Sequence, residues 1–275
     1  MNLKNKIKLI GVDLDGTLLR DDKSLCDGAE EIIRAAAGRG IYIVPITGRP
    51  FSGIPECIRD IKEIKYIISS NGAQIINAES EKSIFSFPLS NKKSNEIIDI
   101  LGRTDCMFEA FADNVGYIEQ NVYDYYVKTY KGTPVGEYIF SSRRVTESIS
   151  ALFKGTDRTA DEIFAICKSE QVRTELVTVL DRIDDIQYCR LGDRFIEVTK
   201  KGTDKGEALE ALCGYLGLSL SQTMAFGDGE NDLQFLKKAG IAVAMANAFD
   251  GVKAHADIIA KSNNDNGVCE IIGKL

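Results

Sequence analysis

Asp13-Leu14-Asp15-Gly16-Thr17 closes an apolar run, Ile7-Lys8-Leu9-Ile10-Gly11-Val12, that reads as a buried strand. Two carboxylates thus stand just past the carboxyl end of a strand, two residues apart, and Gly16 marks a sharp turn. In an open α/β sheet that edge is where ligands bind. A carboxylate pair placed there can hold a hard cation, attack an electrophile and move a proton. The same five residues also suit a plain strand-ending turn, because Asp and Gly are ordinary turn residues. What lies elsewhere along the chain decides between the two.

Working outward, apolar spacing predicts a helix over 27–39, stopped by Gly40. A second strand, Ile41-Tyr42-Ile43-Val44-Pro45-Ile46, runs into Thr47-Gly48-Arg49-Pro50, and a helix is expected over 51–61. A third strand, Tyr66-Ile67-Ile68, ends at Ser69-Ser70-Asn71-Gly72. The alternation implies a parallel, doubly wound, Rossmann-like sheet. The last third resumes it. A helix over 204–215 is followed by the strand Thr223-Met224-Ala225-Phe226 and by Gly227-Asp228-Gly229-Glu230-Asn231-Asp232. A helix over 232–239 and short strands at 241–244 and 257–260 complete the pattern.

The middle differs. Between 85 and 190 the alternation loosens and tyrosine concentrates, at Tyr117, Tyr123, Tyr125, Tyr126, Tyr130 and Tyr138. Strands are expected at 117–119 and 125–129, a helix at 161–169, and a strand or second helix at 173–180. The segment reads as an α+β domain threaded into the first, with Pro88 and Leu191-Gly192-Asp193 as hinges. The expected division is a core of 1–84 and 191–275 and a cap of 85–190. The cap's tyrosines, with Arg143, Arg144 and Glu109, are candidates to face a substrate, although a tyrosine on a strand surface is commonly structural.

Composition narrows the function. The chain has 275 residues, with 34 basic and 41 acidic side chains for a net charge of −7 and no basic cluster, which argues against nucleic acid and anionic membrane as partners. No apolar run approaches the roughly 20 residues needed to span a bilayer. The start, Met1-Asn2-Leu3-Lys4-Asn5-Lys6, carries no apolar leader of its own. Seven scattered cysteines without a C-x-x-C pair, and a single histidine, His255, argue against zinc, iron–sulfur clusters, a disulfide framework or a histidine-based triad. Free thiols suit a reducing cytoplasm, which is the expected location.

Four sites fall at predicted strand ends: Asp13/Asp15, Thr47, Lys205 after a strand over 195–199, and Asp228 to Asp232. Parallel strands would bring them to one edge. Asp13 can attack phosphorus to form an aspartyl-phosphate, and Asp15 can give and take the proton. Asp228, with Asp13 and a backbone carbonyl, can hold magnesium, which offsets the repulsion between an anionic nucleophile and an anionic phosphate. Thr47 and the N–H groups after it can bind phosphate oxygens, and Lys205 can neutralise their charge. Lys205 falls in a helix's first turn, where the macrodipole disfavours a cation by about 0.3–1 kcal/mol; a nearby anion would reverse that. Asp232 can orient Lys205 or a metal-bound water.

These segments resemble the haloacid dehalogenase superfamily, and more closely its Cof-type phosphatases with a large cap. Asp13-x-Asp15-Gly16-Thr17-Leu18 is similar to the first motif, Thr47-Gly48-Arg49 to the second, Lys205-Gly206 to the third, and Gly227-Asp228-x-x-Asn231-Asp232 to the fourth. Asn71-Gly72-Ala73 and Asn264-Asp265-Asn266-Gly267-Val268 also look like recurrent segments of that family. The resemblance implies Mg2+-dependent phosphoryl transfer through Asp13, with metal ligands at Asp13, the Asp15 carbonyl and Asp228. It implies phosphate contacts from Thr47, Gly48, Lys205 and Asn231. The implied activity is hydrolysis of a small phosphorylated metabolite, with a sugar phosphate as the leading substrate class. A sugar phosphomutase and a non-catalytic phosphometabolite-binding regulator are the alternatives. In this fold the cap is expected to close and exclude water.

Overall fold

The computed structural model describes residues 6–275; the expectation about an apolar leader falls mainly on residues 1–5, outside the described residues. The chain divides into two units. The first comprises Met1–Gly48, Ile54–Ser86 and Asp204–Leu275, and the second Arg49–Gly53 and Phe87–Thr203.

The first unit is built on a five-stranded sheet. Its order is Ile258–Ile259, Ile241–Ala244, Thr223–Gly227, Leu9–Val12, Tyr42–Pro45, and every pairing is parallel. Leu9–Val12 is buried at every position, as a strand covered on both faces must be. It pairs with Thr223–Gly227 on one side and with Tyr42–Pro45 on the other, Leu9 lying opposite both Thr223 and Tyr42. The chain therefore reverses its direction of winding at this central strand, and the carboxyl ends next to it form the crevice of a doubly wound sheet. Helix Ala29–Gly38 packs with Gly267–Ile272, and helix Lys205–Leu216 with Leu233–Lys238.

The expected third parallel strand is found at Tyr66–Ser69 with a different role. A single parallel bridge, Ile46 to Ile68, ties it to the main sheet, and its ladder is antiparallel, to Gln74–Asn77 and through that to Lys82–Ser86. The helix expected over 51–61 is broken into a 3₁₀ turn, Phe51–Gly53, and one helical turn, Glu56–Arg59. Pro55 separates them, since it lacks the N–H that a continuous helix would use there.

The second unit holds a six-stranded sheet ordered Ile186–Leu191, Phe195–Lys200, Glu162–Cys167, Cys106–Ala112, Val115–Ile118, Arg143–Val145. Only the last pairing is parallel. Helices Asn91–Leu101, Ile149–Phe153 and Glu170–Leu180 share a core with Ile163, Ala165 and Cys167. Gln120–Tyr130 and Pro134–Ser142 pack instead with Phe164 and Ile166, the alternate residues of the same strand.

Four expectations need correcting here. Residues 162–167 form a strand rather than a helix, because their apolar side chains alternate between two cores. Residues 125–129 belong to helix Gln120–Tyr130, since Val122 and Tyr126 bury one helical turn apart; the β-propensity of a tyrosine run yields to that spacing. The strand Phe195–Lys200 lies in this second sheet and not in the parallel one. Finally, Leu191-Gly192-Asp193 is the turn joining two adjacent antiparallel strands, so it is no hinge, and the unit ends at Thr203 rather than at 190. Among the described residues no helix is long and apolar enough to cross a membrane.

Candidate active site

Asp13 follows the last residue of the central strand, and its N–H donates to the Phe226 carbonyl at 3.0 Å, which continues the pairing one step beyond the ladder. Its carboxylate is buried. Asp15 sits two residues on, part-exposed, with Oδ1 2.6 Å from Lys23 Nζ. Gly16 between Asp15 and Thr17 has φ +76°, and a Cβ there would run into the Asp228 carboxylate. Glycine is thus required twice, for its backbone angle and for its lack of a side chain. Thr17 Oγ1 donates to Asp228 Oδ1 at 3.0 Å, so the first and fourth motif segments are joined directly.

Lys205 is the first residue of helix Lys205–Leu216, whose N-cap Asp204 accepts from the N–H groups of Gly206 and Glu207. Its side chain is only 1% exposed, and Nζ lies 2.7 Å from both Asp13 Oδ1 and Asp232 Oδ1. Lys200 and Lys201, by contrast, are exposed. Burial pulls the Lys205 ammonium toward deprotonation, but Asp13 and Asp232 outweigh it and hold the proton more firmly than usual. Asp232 is fully buried, and its other oxygen accepts from Asp228 N and Gly229 N at 2.9 Å each. Both oxygens of Asp232 are therefore committed, one to the lysine and one to the backbone of the loop that carries Asp228.

The remaining pair is Asp13 and Asp228. Oxygens of Asp13, Asp228 and Asp232 lie within 4.8 Å of one another. Three carboxylates against one ammonium leave an excess of negative charge. Burial pushes Asp13 well above the usual carboxylate range, against the pull of Lys205, and the charges of Asp232 and Asp228 push it the same way. Burial and the Asp232 charge raise Asp228 to about 6. A group of hard oxygen donors whose mutual repulsion is incompletely offset fits a hard divalent cation. Asp13 and Asp228 would hold it, because Asp232 is already engaged.

The second motif sits at the end of the neighbouring strand. Thr47 is buried, its N–H donates to the Ile68 carbonyl and its carbonyl accepts from Asn71 N. Asn71, at φ 50°, brings its side-chain amide beside Gly48, where a Cβ would meet Nδ2 at 3.1 Å. Asn231 Nδ2 donates to Asn71 Oδ1 at 3.2 Å. The chain thus gathers Asp13, Lys205, Asp228 and Asp232 into one contact network, and Thr47, Gly48 and Asn231 around Asn71. Asp15 lies two residues beyond Asp13 and is ion-paired with Lys23. Sequence reasoning assigned no role to Thr17, Lys23, Asn71 or Asn247; the last donates to the Gly16 carbonyl at 2.8 Å. Of these, Asn71 carried a readable signal, an Asn-Gly step directly after a strand.

Comparison with known proteins follows the same lines. The haloacid dehalogenase-like hydrolase family matches residues 10–272. The 5-amino-6-(5-phospho-D-ribitylamino)uracil phosphatase YcsE of Bacillus subtilis is 29% identical over 266 residues, covering 97% of this chain and 94% of the relative. The phosphoglycolate phosphatase of Methanobrevibacter smithii is 29% identical over 271 residues, covering 98% of each. Among solved structures, a haloacid dehalogenase-like hydrolase from B. subtilis matches with a TM-score of 0.87 at 26% identity, over 98% of this chain and 100% of that one.

Proposed function

This chain belongs to the haloacid dehalogenase-like hydrolases, and we propose that within that family it is a magnesium-dependent phosphatase of a small phosphorylated metabolite, with sugar phosphates as the first class to test. The observation that carries the reading is the buried Lys205 ammonium held between Asp13 and Asp232, with Asp228 beside them. Two relatives named for small phosphorylated substrates support the substrate class, one of them named for a phosphorylated ribityl chain.

In this reading Asp13 attacks phosphorus and carries the phosphoryl group as an aspartyl-phosphate. Asp15 protonates the leaving oxygen and later accepts a proton from the attacking water. Lys205 favours the ionised form of Asp13 by its charge, against burial, and binds a phosphate oxygen, with Thr47, the Gly48 N–H and Asn231 as further donors. Asp232 positions Lys205 and the loop that bears Asp228. Asp13, Asp228 and the Asp15 carbonyl would hold magnesium, which would supply positive charge to offset the repulsion between the phosphate and the anionic nucleophile.

The test is Asp13→Asn, assayed for phosphate release across a panel of phosphorylated metabolites with magnesium. Wild type is expected to release inorganic phosphate, and the variant to lose at least about a thousandfold in kcat while remaining folded. Unchanged turnover in the variant rules the mechanism out, and an isomeric sugar phosphate in place of free phosphate makes the protein a mutase.

A further inference from the structure

The second unit carries a pair of thiols outside the site described above. Cys106 begins strand Cys106–Ala112, Cys167 ends strand Glu162–Cys167, and the antiparallel register sets the two directly opposite each other. Next to them Lys168 N donates to the Asp105 carbonyl, whereas Cys167 N turns the other way, to the Arg194 carbonyl at 2.7 Å. The cysteines therefore occupy a non-hydrogen-bonded position of the ladder, where facing side chains come closest. Their Sγ atoms are 3.4 Å apart. Facing Cβ atoms at such positions are about 4.5–5.5 Å apart, and a disulfide needs about 3.5–4.5 Å. A small inward shift of two neighbouring strands is enough to close the bond.

The two thiols also differ in access. Cys167 is fully buried, whereas Cys106, at the start of its strand, is part-exposed and meets an outside reagent first. The hydrogen bond between the two thiols brings Cys106 down to about 7 in spite of burial, into the range of reactive thiolates. The same bond, with burial, holds the Cys167 proton more firmly than usual.

We propose that Cys106 and Cys167 form a reversible cross-strand disulfide, an oxidation site of the second unit driven by exchange with a low-molecular-weight disulfide. With glutathione disulfide the Cys106 thiolate attacks one sulfur, a mixed disulfide forms and one glutathione thiolate leaves. Cys167 then releases its proton and attacks Cys106 Sγ, and the second glutathione thiolate departs. Two protein thiols are oxidised to one disulfide, one glutathione disulfide is reduced to two glutathione thiols, and the two protons pass to the departing thiolates.

The test incubates the full-length protein in glutathione disulfide, blocks the remaining thiols and maps tryptic peptides without reductant. Trypsin places Cys106 in residues 104–128 and Cys167 in residues 159–168, with no other cysteine in either peptide. The expected result is that these two peptides are linked, that reduction separates them, and that two of the seven thiols are lost to titration. Cys167→Ser should stop the reaction at a glutathione adduct on Cys106, and Cys106→Ser should leave Cys167 unmodified. Cys57, the exposed cysteine, is the internal control for surface glutathionylation. Adducts on Cys57 without the linked pair, or separate adducts on Cys106 and Cys167 that never close, overturn the proposal. Because the mapping needs only wild-type protein, a misfolded variant leaves it decisive.

Discussion

Lys205 concentrates the physics of the site in one side chain. It opens a helix, where the macrodipole opposes a cation, and it is buried, where desolvation opposes one. Both penalties are met by the carboxylates of Asp13 and Asp232, each 2.7 Å from the ammonium. Replacing Lys205 by Met keeps much of the volume and removes the charge, leaving two buried carboxylates facing each other. We expect a loss of about 3–5 kcal/mol in urea unfolding at neutral pH, together with a loss of turnover. The sign with pH follows from Asp13. Lys205 lowers its carboxyl affinity for protons, so without the lysine that carboxyl binds a proton at higher pH. The penalty relative to wild type should therefore shrink as pH falls and Asp13 is protonated. An equal penalty at pH 7.5 and at pH 5 would falsify this account of the lysine.

Among the elements, the turn Ser70–Gly72 does more than its length suggests. Ser70, Asn71 and Gly72 all have positive φ, and a Cβ on Gly72 would collide with the Asp204 carbonyl, at the N-cap of the Lys205 helix. One strained turn therefore places Asn71 beside Gly48 and also fixes where Lys205 begins its helix. Gly72→Ala should cost more than about 1 kcal/mol in a denaturant titration and should lower kcat as well, since Lys205 moves with the turn; a stability loss with kcat untouched would separate the two roles. What the sequence shows and what it hides differ at this scale for physical reasons. Asp13, Asp15, Thr47 and Asp228 were readable because each follows an apolar run at a parallel strand's end, where only a turn or a ligand calls for such residues. Lys205 was readable by its helix-start position, but the strand before it was assigned to the wrong sheet: a run such as Phe195-Ile196-Glu197-Val198-Thr199 pairs as well in either. The tyrosine-rich helix Gln120–Tyr130 was hidden because a string of β-formers says less than the spacing of the two that bury. Thr17 and Asn247 act through contacts 211 and 231 residues away, which no local pattern encodes.

For the whole molecule, the first unit is assembled from three separated segments, and its central strand Leu9–Val12 pairs with Thr223–Gly227 from the last of them. Its sheet cannot close until nearly the whole chain is present, so long-range closure must precede the gathering of Asp13 with Asp228. The charge gathered there links the stability of that unit to metal and to pH. Without metal, burial and the Asp232 charge push Asp228 up to about 6, above the usual carboxylate range. Its contribution to folding is thus favourable below about pH 4 and is lost as pH rises through 6, where the ionised carboxylate adds to the repulsion. A divalent cation replaces the missing proton above that range and must displace it below. At a magnesium concentration near 100 times its dissociation constant, binding should add about 2.7 kcal/mol, or roughly 5–10 °C in the midpoint of this unit's unfolding at pH 7.5. At pH 5.5 protonation of Asp228 weakens the apparent magnesium affinity about fourfold, so the same magnesium concentration should give roughly 70% of that shift. Seven of the ten tyrosines lie in the second unit and the chain has no tryptophan, so calorimetry rather than intrinsic fluorescence reads the effect. Equal magnesium shifts at the two pH values would mean that the cation is not held by Asp228, and the proposed metal site would have to be moved.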